Sequence, residues 1–549
     1  MWLTIHNLWT VQTKATIEEQ LWLDEYLSFK DNKSHWATGA AKHAPIKLYN
    51  TSTGAFPAGL TGMVMRDARA KGFVVNLIDR RSNPITPMPE SERAKALYWL
   101  RDYQRSAVET MISKTRGIIW ASTGAGKSEV FTGIVRALPG KWVMLVHNKK
   151  LVHDAARRYT LREIQWWLKQ NVHPKDFDPS GDNTSDYAKA VAALDSMSLK
   201  PEDVSNVGII GDGHWSEEGF TCSTFQTLAR ALAVDRSGRP KNAQKHKKAT
   251  DFLDSLDGII ADECHVAPAD SFWKVIMAAR NAYYRIGLSG TPLARGDRKS
   301  VFAVAALGPV QYRIRPTQLI GVGVLAKPKI RMFEVVQEYP DAICSECDGS
   351  GAGMFGPATC IPCKGRGVIP PKWQDVQRRL IVRSHVRNAA LLHIIENMAA
   401  RPCLVFVEAV AHGKLLSKKL SQSGIANAFT WGSHSIDSRN EAVNKLVSGE
   451  IEVLIASRIF QEGVDVPPIM SVVLASGGKS TIAALQKIGR GMRVTKDKSE
   501  FHVFDIYDTG QSYLKRHAQQ RRRAYMSEGH SVAVEPPLGT AAQVSLWNS

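Results

Sequence analysis

The chain has 549 residues, 44% of them hydrophobic and 22% charged, with 71 Lys and Arg against 52 Asp and Glu. At about 150 residues per domain it holds three or four domains with ample core, which excludes a disordered, collagenous or disulfide-stapled polypeptide. The net charge of +19 points to a polyanionic partner, either nucleic acid or an anionic membrane surface. No apolar run reaches the roughly 20 residues that cross a bilayer. The opening MWLTIHNLWTVQTK lacks the basic-then-apolar order of a signal peptide, so the expectation is a cytoplasmic protein without a membrane partner.

Residues 1–95 read as a small α+β unit. It runs from the helical IEEQLWLDEYLSF through the strand-like IKLYN, the turn TGAFPAG and a helical MVMRDARAKG to the strand FVVNLIDR. A turn-rich RRSNPITPMPESE closes it. From Leu100 onward, GIIWAS, KWVMLVH, FTCST, DGIIADE and YRIGLSG alternate with helical stretches, the pattern of a parallel sheet wrapped by helices. A second such series starts near Lys327 with KPKIRMFEV and continues with CLVFVE, EVLIAS, SVVLAS and FHVFDIY. The predicted domains are therefore 1–95, 96–325 and 326–530, followed by a loose tail over 531–549. Residues 160–205 read as an insertion in the first α/β domain. Residues 236–248, basic and without an acid, read as a solvated loop or a phosphate contact. The basic SYLKRHAQQRRRAY, with Arg521, Arg522 and Arg523, reads as a helix that faces solvent or a duplex.

Four segments carry chemistry. ASTGAGKS follows the strand GIIW, and its Ser122, Thr123, Gly124, Ala125 and Gly126 are small enough for backbone N–H groups to wrap a phosphate. Lys127 then reaches β and γ phosphates, and Ser128 holds Mg²⁺. GIIADECH ends a strand in adjacent carboxylates, costly without a cation or a task; Asp262 is the second Mg²⁺ residue, and Glu263 orients and deprotonates an attacking water. His265 bonds across to GLSGTP, which reads as an ordinary turn or as a link, through Ser289 and Thr291, from the Mg²⁺ end to the domain interface. In QKIGRGMR, Gln486, Arg490 and Arg493 recur at i, i+4 and i+7 and share one helix face, either solvated or placed to spread charge off a phosphoryl group.

Separate chemistry lies in CSECDGSG and CIPCKGRG. These two C-x-x-C-x-G-x-G knuckles offer Cys344, Cys347, Cys360 and Cys363 as a tetrahedral Zn²⁺ site. They resemble the zinc repeats of DnaJ-type chaperones in turn chemistry, not in function. The insertion, 344–367, reads as a staple for a long loop or as a contact to nucleic acid through Lys364 and Arg366. The other three cysteines, Cys222, Cys264 and Cys403, sit in apolar runs and read as reduced, buried thiols.

The ordered set RDYQ, ASTGAGKS, DECH, SGTP, ASRIFQEGVDVPP and QKIGRGMR resembles that of the superfamily 2 helicases over roughly residues 96–510. Within them it looks most like the UvsW-type phage recombination helicases, through LYNTSTGAFPAGL, GFVVNLIDRR and LGPVQYRIRPTQLIGVGVLAKPKI. The resemblance implies two tandem RecA-like parallel-sheet motor domains behind a small α+β nucleic-acid-binding domain, with the zinc knuckles inserted in the second. It implies that Gln104, with Arg101, reads adenine, and that Gly463 and Asp465 couple strand contact to ATP. His147, Lys149, Thr224, Gln226, Thr227 and Ser457 become strand contacts, with His147-Asn148 in place of the usual Pro-Thr. Arg490 and Arg493 become arginine fingers reaching an ATP clamped between the motor domains. The implied partner is branched DNA (forks, junctions or RNA–DNA loops) in the host cytoplasm if the chain is phage-encoded. The alternatives are an RNA helicase, an ATP-switched annealing protein and a restriction-system motor subunit.

Overall fold

The computed structural model describes residues 1–29, 46–122, 124–171, 184–266, 270–290, 300–353, 356–457, 469–478 and 500–538. It divides into two units, Met1–Ile314 and Arg315–Ser549.

The first unit begins with a four-stranded sheet in the order Ala55–Pro57, Trp9–Thr13, Trp2–Ile5, Asn76–Asp79. Only the last pairing is parallel. Alternation along Trp2–Ile5 sends Leu3 and Ile5 inward. There Leu3 joins Leu23 of helix Ile17–Tyr26 and Val64 and Ala68 of helix Thr61–Ala70. Helix Ile17–Tyr26 starts at a capping box in which Thr16 and Glu19 each satisfy the other's backbone N–H. This small domain is fastened to the α/β domain of the same unit. Ala305 of helix Ser300–Leu307 completes its core, and a Cβ on Gly59 would lie 2.1 Å from the Val304 carbonyl, so only glycine permits that approach.

Next comes an eight-stranded sheet, ordered His214–Trp215, Val207–Gly211, Phe220–Thr224, Trp142–Val146, Gly258–Asp262, Tyr284–Ser289, Arg116–Ala121, Val310–Ile314. All pairings are parallel except the short first one. The central strands are buried along their length, as a sheet covered on both faces requires. The insertion forms the long helix Lys149–Asn171 and helices Thr184–Asp195 and Pro201–Val204, which share a small core through Leu161, Ile164, Leu168, Ala190 and Leu194.

The second unit holds a seven-stranded, all-parallel sheet ordered Asn427–Thr430, Val453–Ala456, Cys403–Phe406, Ser471–Leu474, Glu500–Gly510, Lys327–Gln337, Val532–Glu535. The architecture is therefore the expected pair of RecA-like α/β sheets behind a small α+β domain.

Three expectations are corrected. The break falls after Ile314, not near 325, and helix Pro316–Gly321 goes with the second unit, where Thr317 backs onto Gly529. Residues 532–535 are not tail but an edge strand beside Lys327–Gln337, tied by the ion pair of Arg331 with Glu535. The basic 236–248 segment is solvated as expected, but it is loop only to Asn242, which caps a helix, Ala243–Asp254, whose Ala249, Phe252 and Leu253 are core. No described helix is long and apolar enough to cross a membrane.

Candidate functional site

Parallel strands place their carboxyl ends side by side, so the loops leaving Arg116–Ala121, Gly258–Asp262 and Tyr284–Ser289 converge. The first loop turns on Gly124 (φ +87°) and Gly126 (φ +76°), left-handed conformations that glycine enters without strain. The Ser122 hydroxyl anchors its start by donating to the Ile314 carbonyl at 2.9 Å. The Ala125 N–H donates to the Ser122 carbonyl at 3.0 Å. Gly126 then caps helix Lys127–Ala137 without any side-chain acceptor, leaving the first N–H groups of the helix for an anion.

Gln104 braces this loop. Its Nε2 donates to the Ala125 carbonyl at 3.0 Å, and its Oε1 accepts from the Arg101 N–H at 3.0 Å. A Cβ on Gly126 would come within 2.3 Å of that Nε2.

Lys127 reaches the acid strand, which strand Tyr284–Ser289 separates from its own. Its Nζ lies 2.5 Å from Glu263 Oε1 and 3.7 Å from Asp262 Oδ1. Glu263 has φ +48°, a strained value for a side-chain-bearing residue, and its N–H donates to Asp262 Oδ1 at 3.0 Å. On its other oxygen, Oε2, it meets the Ser289 hydroxyl at 3.2 Å and His265 Nδ1 at 3.2 Å. His265 Nδ1 and Ser289 Oγ are themselves 3.1 Å apart. The two carboxylates diverge electrostatically. Burial pushes both upward, but the Lys127 ammonium and His265 overrule it at Glu263 and hold that carboxyl far below the usual range. At Asp262 burial wins over Lys127, and its pKa is raised. Lys127, half-buried between two acids, is held firmly protonated.

Strands Trp142–Val146 and Phe220–Thr224 are neighbours, so their loops meet as well. Gln226 Nε2 donates to the His147 carbonyl at 2.9 Å. Thr224 caps helix Phe225–Ala231 by accepting from the Thr227 N–H at 3.2 Å. Asn148, standing where threonine is usual, accepts from the Leu151 N–H at 2.9 Å, as a capping threonine would. Lys149 is exposed and pairs with Asp212 at 2.5 Å. In the other unit, Ser457 leaves strand Val453–Ala456 and its N–H donates to the Thr430 carbonyl at 3.1 Å. Thr123, Thr291, Gly463, Asp465, Gln486, Arg490 and Arg493 lie outside the described residues.

The four knuckle cysteines converge, their sulfurs all within 4.8 Å of one another. Sulfurs of Cys344 and Cys360 are 3.8 Å apart and those of Cys347 and Cys363 are 3.6 Å apart. That is too long for a disulfide, and it fits the ~3.8 Å edge of a tetrahedron with ~2.3 Å metal–sulfur bonds. The knuckles support each other reciprocally: the Cys344 N–H donates to the Gly367 carbonyl and the Cys360 N–H to the Gly351 carbonyl, each at 2.9 Å. The Gly351 N–H points at Cys347 Sγ at 3.3 Å. The donor set suits a soft, tetrahedral cation. The remaining thiols are buried, and burial pushes that of Cys403 up to about 11.

Residues 97–294 match the family model of the Type III restriction enzyme res subunit, and residues 386–495 match the helicase conserved C-terminal domain. The chain belongs to the superfamily 2 helicases. Members of this class are nucleic-acid-dependent ATPases, and the helicase motor implies ATP as its nucleotide. The helicase is similar to "Putative helicase 22" of Sulfolobus islandicus filamentous virus, 24% identical over 425 residues, covering 76% of this chain and 66% of the relative. It is similar to the "DNA 3'-5' translocase XPB2" of Sulfurisphaera tokodaii, 26% identical over 452 residues, covering 79% and 87%. It is also similar to the "ATP-dependent DNA helicase uvsW" of Enterobacteria phage T4, 23% identical over 300 residues, covering 51% and 55%. The alignments thus leave about a third of the first relative and almost half of the last unmatched.

The helicase also buries charges, one of which, Arg521, the sequence placed on a helix facing solvent or a duplex. Arg521 is not solvated: its guanidinium is buried and bonds Asp505 at 2.8 Å, beside the Tyr525 hydroxyl on the same carboxylate. Arg387 and Asp508 form a second buried pair at 3.0 Å. Neither pairing has a local sequence signal, because the partners are 16 and 121 residues apart.

Proposed function

We propose that the chain is an ATP-driven DNA helicase or translocase that remodels branched DNA. The observation that carries this reading is the cluster of Lys127, Asp262 and Glu263 beside the phosphate loop. In this reading the triphosphate lies on the N–H groups of 124–128, and the Lys127 ammonium shifts from Glu263 to the β and γ phosphates. Ser128 and Asp262 would hold Mg²⁺, which would supply neutralisation of phosphate charge. Glu263, freed from Lys127 but still gripped by His265 and Ser289, orients the attacking water and takes its proton. Gln104 and Arg101 form the adenine end. From sequence, Arg490 and Arg493 supply positive charge for the transferred phosphoryl group beside the neutral amide of Gln486, and Gly463 and Asp465 couple it to strand contact. His147, Lys149, Thr224, Gln226, Thr227 and Ser457 hold the nucleic-acid backbone. Such a grip is sequence-independent and weakens with salt. Cys344, Cys347, Cys360 and Cys363 hold one Zn²⁺ as a structural ion.

DNA is favoured over RNA because the relatives matched over more than 400 residues include a DNA translocase. The likeness to the RNA helicase SrmB of Escherichia coli is 27% over 122 residues. The test is ATPase stimulation and strand displacement on single-stranded, duplex and forked DNA and on matched RNA, with Lys127→Ala as the control. Forked DNA is expected to stimulate most. Stimulation by RNA alone would overturn the substrate, and turnover without displacement or branch movement on any DNA would favour an annealing switch.

A further inference from the structure

The N-terminal sheet buries one face and leaves the other toward solvent. The register places Trp2, Thr4, Val11 and Ile78 on the solvent side, with Trp9 one row beyond. Trp2 and Trp9 are each 40% exposed, while their neighbours Leu3 and Thr10 are fully buried. A tryptophan is the largest apolar side chain a fold can bury, and two left half-open on one small sheet ask for a ligand. Trp9 stands opposite the residue four beyond Trp2, so the indoles are roughly 14 Å apart along the strands. Between and beside them lie the hydroxyls of Thr4 and Thr13 together with the smaller apolar side chains of Val11 and Ile78. That spacing suits separate flat ligands along a strand better than one compact protein hot spot.

The charge on this face is positive. The Lys14 ammonium lies 6.0 Å from the Trp2 ring centroid. Among the described residues of 1–80, the carboxylates are engaged or on the opposite side. Glu19 holds the Met1 amino group, Asp24 pairs with Lys47, Asp67 with Arg66 and Asp79 with Arg81. Glu18 and Glu25 ride on helix Ile17–Tyr26, which packs on the buried face through Leu23.

We propose that this outer sheet face is a docking platform for single-stranded nucleic acid, with Trp2 and Trp9 stacking on unpaired bases and Lys14 meeting the backbone. It rests on the reading of the chain as a nucleic-acid motor and adds where the unpaired strand is held. The indoles sit on strands rather than loops, so their separation is set by the sheet.

The test is binding of fluorescent oligo-dT and of blunt duplex DNA to the full chain, wild type against Trp2→Ala/Trp9→Ala and Trp2→Phe/Trp9→Phe. Loss of two stacking rings is expected to weaken oligo-dT binding by roughly tenfold or more, with blunt duplex affinity little changed. The phenylalanine pair is expected to restore most of the affinity, which separates stacking from misfolding. Unchanged oligo-dT affinity in the alanine pair would overturn the platform and point to a protein partner. Equal loss on blunt duplex, or no rescue by phenylalanine, would also overturn it. A wild-type chain that binds no nucleic acid would instead bring down the motor reading itself.

Discussion

Lys127 and Glu263, 136 residues apart in sequence, meet at 2.5 Å across the end of strand Tyr284–Ser289, which separates their two strands in one parallel sheet. Without nucleotide the lysine neutralises the acid that the proposed reaction needs free. Triphosphate binding then does two things at once, drawing Lys127 to phosphate and releasing Glu263. Lys127→Ala is expected to abolish ATP turnover. Glu263→Gln is expected to keep ATP binding and to lose roughly 10²–10⁴-fold in kcat, the usual worth of a positioned base. Equilibrium binding of a fluorescent ATP analogue beside steady-state turnover separates the two effects.

The same cluster predicts opposite pH responses for its two acids. The Glu263 carboxyl is depressed, so the stability it contributes is present above the ordinary carboxylate pKa and is lost only as pH falls through its lowered value. The difference in Tm between wild type and Glu263→Gln should therefore stay constant from neutral pH down to about 5 and shrink below that. Asp262 is raised by burial, so its ionisation opposes folding as pH rises. Asp262→Asn is expected to raise Tm at neutral pH. A fall in Tm there would mean that the lysine, not burial, governs this acid.

Arg387 and Asp508 are both fully buried, and Arg387 also donates to the Ala475 carbonyl at 2.7 Å. Removing one partner strands the other's charge, so Arg387→Ala is expected to cost about 3–5 kcal/mol in urea unfolding of the second unit. Among the described residues, Arg387 Nη2 and Asp508 Oδ2 have no hydrogen-bond partner. Replacing the pair together by Met and Leu should therefore recover most of the loss, since little favourable bonding is given up.

Metal analysis of purified protein is expected to find about one equivalent of zinc. Cys344→Ser should lower that content and make the 344–367 segment a preferred site of proteolysis, because four converging thiolates repel unless a cation holds them. A metal-free wild-type preparation with an intact, protease-resistant insertion would remove the ion from the account.

The phosphate loop, the acid strand and the knuckles were legible because each is a local constellation. The turn, the residue that grips phosphate and the helix after it are contiguous in ASTGAGKS, and the paired cysteines are two residues apart. The two parallel sheets were legible for a related reason, since strands buried on both faces read as unbroken apolar runs. The edge strand Val532–Glu535 was not: VAVE is short, half exposed and comes after a basic helix, so only its neighbour Lys327–Gln337 makes it a strand.

What the sequence by itself determined is the chemistry on offer: a phosphate-binding turn, a carboxylate pair and four thiols, each written within a few residues. What only the tertiary structure decided is which side chains are buried and which meet. It turned Arg521 inward to Asp505, turned Trp2 and Trp9 outward, and brought Lys127 to Glu263. The reason is that a charge is stable inside only beside a partner, and an aromatic ring stays outside only where its sheet has no covering layer. Both conditions are supplied by residues far away in the chain, which no window of sequence contains.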